Sequence, residues 1–134
     1  MLISLHNLQQ QEVETGYRTE IIEKVVLLID LLNTIQKDSY LNQRLVLKGG
    51  TALNLFYLGM PRLSVDIDLD YIGSVDKNTM LMERKEIEET LFRILLHKGF
   101  SVGRRPARHA GGKYILKYAS VISGQGNLEL DINY

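Results

Sequence analysis

The sequence predicts an α/β (α+β) protein in which helices flank a mixed β-sheet. Two long segments, at about residues 18–36 and 79–98, have apolar residues at helical spacing. Shorter apolar or alternating segments, typical of strands, lie between these helices and after them. Because the order is helix, strand, short helix, strand, long helix and then three strands, a mixed sheet covered by helices is the expected architecture.

The first half of the chain supplies a helix, a strand and a second, shorter helix. The first helix is predicted from apolar residues that recur every three or four positions, namely Ile22, Val25, Ile29 and Leu32. The strand at 45–48 is apolar and ends at the pair Gly49–Gly50. Residues 51–59 are predicted to be helical, because Thr51 can cap the start and Gly59 can end it.

The second half supplies an acidic strand, a long helix and three further strands. The long helix carries an apolar stripe formed by Ile87, Leu91, Ile94 and Leu95. Strands are predicted at about 100–104, 113–121 and 127–134. The glycine-containing segments Gly111–Gly112 and 123–127 are predicted to be the turns between them.

Composition places the chain among ordinary globular domains. The 134 residues include 16 basic and 16 acidic side chains and no cysteine, so disulfides and thiolate metal sites are excluded. The start has neither a basic region nor a long apolar run, and a cytoplasmic protein without membrane contact is expected. We expect one core domain over 1–134, with 1–19 as a flexible lead-in and the whole as the N-terminal part of a longer protein.

The stretch RLSVDIDLDY places three acids at alternate positions of a predicted strand. Asp66, Asp68 and Asp70 share one face of the strand, while apolar residues occupy the other. An EF-hand is excluded, because Tyr71 and Lys77 stand where its loop requires Gly and Glu. A solvent-facing strand remains an alternative, but three like charges on one face favour a divalent-cation site, since hard cations prefer oxygen ligands.

The segment KGGT follows a strand and precedes a predicted helix. It matches neither the P-loop nor the dinucleotide-binding pattern. A glycine pair at the start of a helix nevertheless offers unpaired backbone N–H groups to an anion. With the Thr51 hydroxyl and the Lys48 charge, the segment predicts a phosphate-binding turn beside the acidic strand.

Two further segments carry candidate site residues. In the last predicted strand, Glu129, Asp131 and Asn133 share the polar face, and Asp131 is a candidate third carboxylate. The basic segment 103–113 is either a solvated turn or a phosphate or RNA contact, and both alternatives stay open.

Taken together, LVLKGGTALNLFYLGMPRLSVDIDLDY resembles the AbiEii-type nucleotidyltransferase toxins of abortive-infection systems, within the polymerase-beta-like nucleotidyltransferase superfamily. The resemblance covers about residues 20–134 and implies a nucleotidyltransferase fold. It implies a catalytic Asp66/Asp68 pair that holds Mg²⁺, with Asp131 assisting as a further catalytic and metal-binding residue. Asp70 lies outside the family pair and is treated as an accessory. The nucleotide-binding residues that it implies are Lys48, Gly49, Gly50, Thr51, Arg62 and Ser64.

The resemblance also implies a reaction and partners. The expected activity is Mg²⁺-dependent transfer of a nucleoside monophosphate from an NTP to an acceptor hydroxyl, with tRNA as the acceptor and Asp131 receiving its proton. The expected partner is a cognate antitoxin protein. Two alternatives remain: a non-catalytic nucleotide-binding module that contacts the antitoxin, and a small-molecule nucleotidyltransferase of the antibiotic-modifying type.

Overall fold

The computed structural model describes residues 3–48, 66–105, 111–122 and 124–134. Three helices and five strands lie in these ranges: α1 (Leu5–Thr15), α2 (Thr19–Lys37), β1 (Leu45–Leu47), β2 (Asp66–Tyr71), α3 (Lys77–His97), β3 (Ser101–Arg105), β4 (Gly111–Ala119) and β5 (Gln125–Asn133). The predicted α/β (α+β) class with a mixed sheet is therefore confirmed. The predicted short helix at 51–59 lies outside the described residues.

The five strands form one sheet in the order β1-β2-β5-β4-β3. β2 and β5 are parallel, whereas the other neighbouring strands are antiparallel. The last strand of the chain is therefore inserted between β2 and β4. This order makes the acidic strand β2 the direct neighbour of the strand that carries Asp131.

One face of the sheet packs against the helices. Buried side chains of α2, α3 and the strands form a single apolar cluster, which includes Leu28, Leu31, Ile67, Leu69, Ile87, Leu91, Leu95, Leu116, Leu128, Leu130 and Ile132. Burying each of these side chains contributes about 1.5–3 kcal/mol. Since strand side chains alternate between faces, the polar residues of β2 and β5 are directed to the opposite face.

Helix α3 begins two residues before the predicted start. Asp76 caps it, because its carboxylate accepts a 2.9 Å hydrogen bond from the backbone N–H of Thr79. Of the predicted stripe, Ile87, Leu91 and Leu95 are fully buried in the core.

The N-terminal segment, expected to be a lead-in, contains helix α1. Ser4 caps this helix and Gly16, with a φ of 79°, ends it. The helix contacts α2 and buries Leu8. Within the described part of the chain, no helix has the length and apolar character needed to cross a membrane.

The structure corrects both predicted turns of the second half. Gly111 and Gly112 belong to β4, where they pair with Asn133 and Ile132 of β5. The strand β5 already begins at Gln125, which pairs with Ala119 at the end of β4, so the predicted turn at 123–127 extends too far. The β4–β5 backbone pairing therefore keeps both glycines in the strand, although glycine has a weak preference for strands.

Candidate functional site

The acids of β2 lie on the sheet face opposite the apolar core. Ile67 and Leu69 are 0% and 2% exposed, and they alternate with Asp68 and Asp70, which are half-buried. The apolar positions hold the strand in the sheet by packing under α2 and α3. This alternation directs the carboxylates of Asp68 and Asp70 away from the core.

Parallel pairing with β5 brings a second set of polar residues to the same face. Asp68 is in register with Asp131, and Asp70 is in register with Asn133. The Asn133 side chain donates a 3.2 Å hydrogen bond from Nδ2 to Oδ1 of Asp70. Because neighbouring strands are about 4.8 Å apart, Asp68 and Asp131 form a side-by-side carboxylate pair.

The electrostatic environment of this pair acts most clearly on Asp131. Burial raises the pKa of its carboxyl group, and the negative charges of Asp68 and Glu129 raise the pKa further. The nearby Lys113 ammonium opposes this rise. The carboxylates therefore repel one another in the apo protein, which favours binding of a cation between them.

Strand β4 supplies a cation at the same level of the sheet. Lys113 is in register with Asp131, and its Nζ lies 3.0 Å from Oε2 of Glu129. Lys113 is both the last residue of the predicted basic segment 103–113 and the first residue of the predicted strand at 113–121, and the structure places it inside β4. The sequence predicts the strand from Lys113 onward, but it does not identify β5 as the neighbour that brings Lys113 beside Asp131.

The end of β1 lies beside the carboxylate pair. The Lys48 backbone N–H donates a 2.9 Å hydrogen bond to the carbonyl oxygen of Asp68, so the β1–β2 pairing continues to this residue. Lys48 is exposed. Lys48, the first residue of the KGGT segment, therefore lies next to Asp68.

The described residues bring together three of the predicted site residues. Lys48, Asp68 and Asp131 lie at one level of the sheet. Asp66 lies two positions before Asp68 on β2, with its backbone in register with Glu129. The other predicted site residues lie outside the described residues: Gly49, Gly50, Thr51, Arg62 and Ser64.

The donor set fits a magnesium ion that arrives with a nucleotide. Among the side chains that the structure describes, no group of three or more His, Cys, Asp or Glu residues is arranged to hold a metal. Asp68 and Asp131 supply a pair of oxygen ligands, and Mg²⁺ commonly takes one or two carboxylates together with substrate phosphates. The role of Asp66 as a further ligand stays a prediction.

The five-stranded mixed sheet with helices on one face is consistent with a nucleotidyltransferase-like α/β fold. The family model described as "Nucleotidyl transferase AbiEii toxin, Type IV TA system" matches residues 30–134, so the chain belongs to this family. Comparison with curated proteins and comparison with solved structures gave no match. Membership implies a nucleotidyltransferase toxin of a toxin–antitoxin system, with a cognate antitoxin.

Proposed function

We propose that this chain is the core of a cytoplasmic, Mg²⁺-dependent nucleotidyltransferase toxin that modifies tRNA. It transfers a nucleoside monophosphate from an NTP to a hydroxyl group of the tRNA and releases pyrophosphate. The observation that carries the proposal is the pairing of Asp68 with Asp131 beside the start of the KGGT segment. Family membership supports the same reaction class.

The proposed site has a metal-binding part and a phosphate-binding part. Asp66, Asp68 and Asp131 would hold Mg²⁺, which when bound neutralises phosphate charge and makes the attacking hydroxyl more acidic. The triphosphate binds the residues of the KGGT segment and the start of the acidic strand, namely Lys48, Gly49, Gly50, Thr51, Arg62 and Ser64. Backbone N–H groups at such a glycine turn are suited to phosphate oxygens.

The transfer step forms one bond and breaks one. The acceptor oxygen attacks the α-phosphorus, the bond from the α-phosphorus to the bridging oxygen breaks, and pyrophosphate leaves with that oxygen. The acceptor's proton passes to Asp131. Asp131 is the candidate for this role because it is the register partner of Asp68 at the proposed metal site.

The test is nucleotide incorporation by the purified protein. The protein is incubated with each α-³²P-labelled NTP, Mg²⁺ and total tRNA, and the RNA is separated on a denaturing gel. We expect label in tRNA with at least one NTP and none when EDTA is present. Label in a small aminoglycoside-type acceptor instead would support the antibiotic-modifying alternative, and nucleotide binding without any transfer would support the non-catalytic module.

A matched pair of variants links the activity to the carboxylate pair. Asp68→Asn combined with Asp131→Asn should abolish incorporation, because both described carboxylate ligands are lost. Asp70→Asn is the control, since Asp70 lies on the same strand and face but pairs with Asn133. Loss of activity in both variants to the same extent would contradict the assignment of Asp68 and Asp131.

A further inference from the structure

Charged residues occupy one level of the sheet on β2, β5, β4 and β3 and directly after β1. Lys48 follows β1 and bonds through its backbone to Asp68 on β2, and Asp68 is in register with Asp131 on β5. Asp131 is in register with Lys113 on β4, which is in register with Arg105 on β3. The carboxylate pair is therefore bracketed by basic residues along the strand order.

Lys113 lies on the same face as the carboxylates. Its neighbour Tyr114 is 3% exposed and belongs to the core, so the alternation of β4 directs Lys113 to the opposite face. The Lys113 side chain is 37% exposed and that of Glu129 is 36% exposed, although their charged ends are 3.0 Å apart. The ammonium group is held near the acids and is also accessible from solvent.

The charges on this face make Lys113 act differently on two ligands. The described side chains of β2 and β5 contribute four acids, namely Asp68, Asp70, Glu129 and Asp131. These acids attract a bare divalent cation, whereas Lys113 repels it. A metal–triphosphate complex carries net negative charge, so the four acids repel it and Lys113 attracts it.

We propose that Lys113 is a further phosphate-binding residue of this site. When the nucleotide binds, the Lys113 ammonium group leaves the Glu129 carboxylate and contacts a phosphate oxygen instead. This exchange makes the carboxylate pair select the Mg²⁺–NTP complex over the free metal. The proposal rests on the proposed function, because it assigns a second phosphate contact to the same nucleotide. It places that contact on β4, across the carboxylate pair from Lys48.

Two binding measurements with the purified protein test this role without using catalysis. Free Mn²⁺ is followed by electron paramagnetic resonance, and binding of the four Mg²⁺–NTP complexes is followed by calorimetry. In Lys113→Met we expect Mn²⁺ affinity to rise about fivefold, because a nearby positive charge is removed. We expect affinity for Mg²⁺–NTP to fall about tenfold, because a charge-assisted contact is lost.

Three variants separate this role from a structural one. Lys117→Met removes a lysine from the same strand and face, opposite Asn127, and should change neither affinity. Lys113→Arg keeps the charge and should retain most of the Mg²⁺–NTP affinity. Glu129→Gln should shift both affinities in the direction opposite to Lys113→Met, and it also tests the proposal if Lys113→Met does not fold.

The outcomes distinguish the two proposals. If the wild-type protein binds Mg²⁺–NTP and Lys113→Met resembles Lys117→Met in both assays, the role of Lys113 is overturned while the proposed function stands. Equal weakening of both ligands in Lys113→Met would also overturn it, since only a structural role acts in that way. If the wild-type protein binds neither Mn²⁺ nor any Mg²⁺–NTP complex, both proposals are overturned.

Discussion

Asp68 and Asp131 are register partners on the parallel strands β2 and β5. Parallel strands cannot be joined by a tight hairpin, and here α3, β3 and β4 all lie between them in the chain. The carboxylate pair therefore forms only when β5 has been inserted between β2 and β4. The candidate site therefore depends on the β2–β5 pairing.

Asp131→Asn should raise the stability of the metal-free protein at neutral pH. The folded-state pKa of Asp131 is raised by burial and then by Asp68 and Glu129, against the opposing effect of Lys113. A raised carboxyl pKa means that the charged form destabilises the folded state, and this penalty is complete above the folded pKa. The difference in unfolding free energy between Asp131→Asn and the wild type should therefore shrink as the pH falls to the usual pKa of an aspartate. Urea unfolding in the presence of EDTA measures this difference.

Asp70→Asn serves as the control for this prediction, because it removes a charge from the same face. Its unfolding free energy should follow that of the wild type more closely over the same pH range. A clear loss of stability in metal-free Asp131→Asn would show that the carboxylate has a structural role.

Glu83→Gln should destabilise the protein by about 1–3 kcal/mol. The Glu83 carboxylate accepts hydrogen bonds from the Tyr71 hydroxyl and, at 2.6 Å, from Arg44 Nε, which ties α3 to the β1–β2 end of the sheet. These bonds, that of Tyr71 first, lower the pKa of Glu83. Its stabilising effect is therefore present above the usual pKa of a glutamate and is lost as the pH falls through the lowered folded-state pKa.

Chemical denaturation of Glu83→Gln beside the wild type measures this difference at neutral and acidic pH. Glu89→Gln is the control, since Glu89 is exposed on the same helix. Equal effects of the two substitutions, or a difference that grows at acidic pH, would contradict the assignment.

The sequence predicts helix positions and strand faces well, but it does not predict strand partners. Apolar periodicity located α2 and α3 to within a few residues, because their buried stripes are determined by packing on one sheet face. Alternation along a strand assigns a face without naming the neighbouring strand, so the pairing of Asp68 with Asp131 required the structure. The start of β4 at Gly111 was missed, because a glycine pair usually marks a turn.

Glu23→Ala should cost about 2–4 kcal/mol of stability. Glu23 is 2% exposed on α2, where Oε1 accepts a 2.7 Å bond from Ser120 Oγ and Oε2 accepts a 2.8 Å bond from the Val121 N–H. The Glu23 carboxylate therefore links α2 to the segment that follows β4. Hydrogen exchange at the Val121 amide should accelerate in the variant, in addition to the lower unfolding midpoint.

Glu20→Ala is the matched control, since Glu20 is exposed on the same helix one turn earlier. It should leave the exchange rate of Val121 unchanged. Fast exchange at Val121 in the wild-type protein would argue against the fastening role of Glu23.

Amide signals at 49–51 should shift when the protein is titrated with NTP in Mg²⁺. The hydrogen bond from the Lys48 N–H to the Asp68 carbonyl oxygen places the start of this segment beside the carboxylate pair. Backbone N–H groups at such a turn bind phosphate oxygens, and we expect a dissociation constant of about 1 mM from phosphate contacts alone. Gly16 and Gly99, which follow the C-terminal ends of helices α1 and α3, provide internal reference signals that should not move. NMR spectroscopy follows these signals during titration with each of the four nucleotides. Unchanged signals at 49–51 in all four titrations would refute phosphate binding by the KGGT segment.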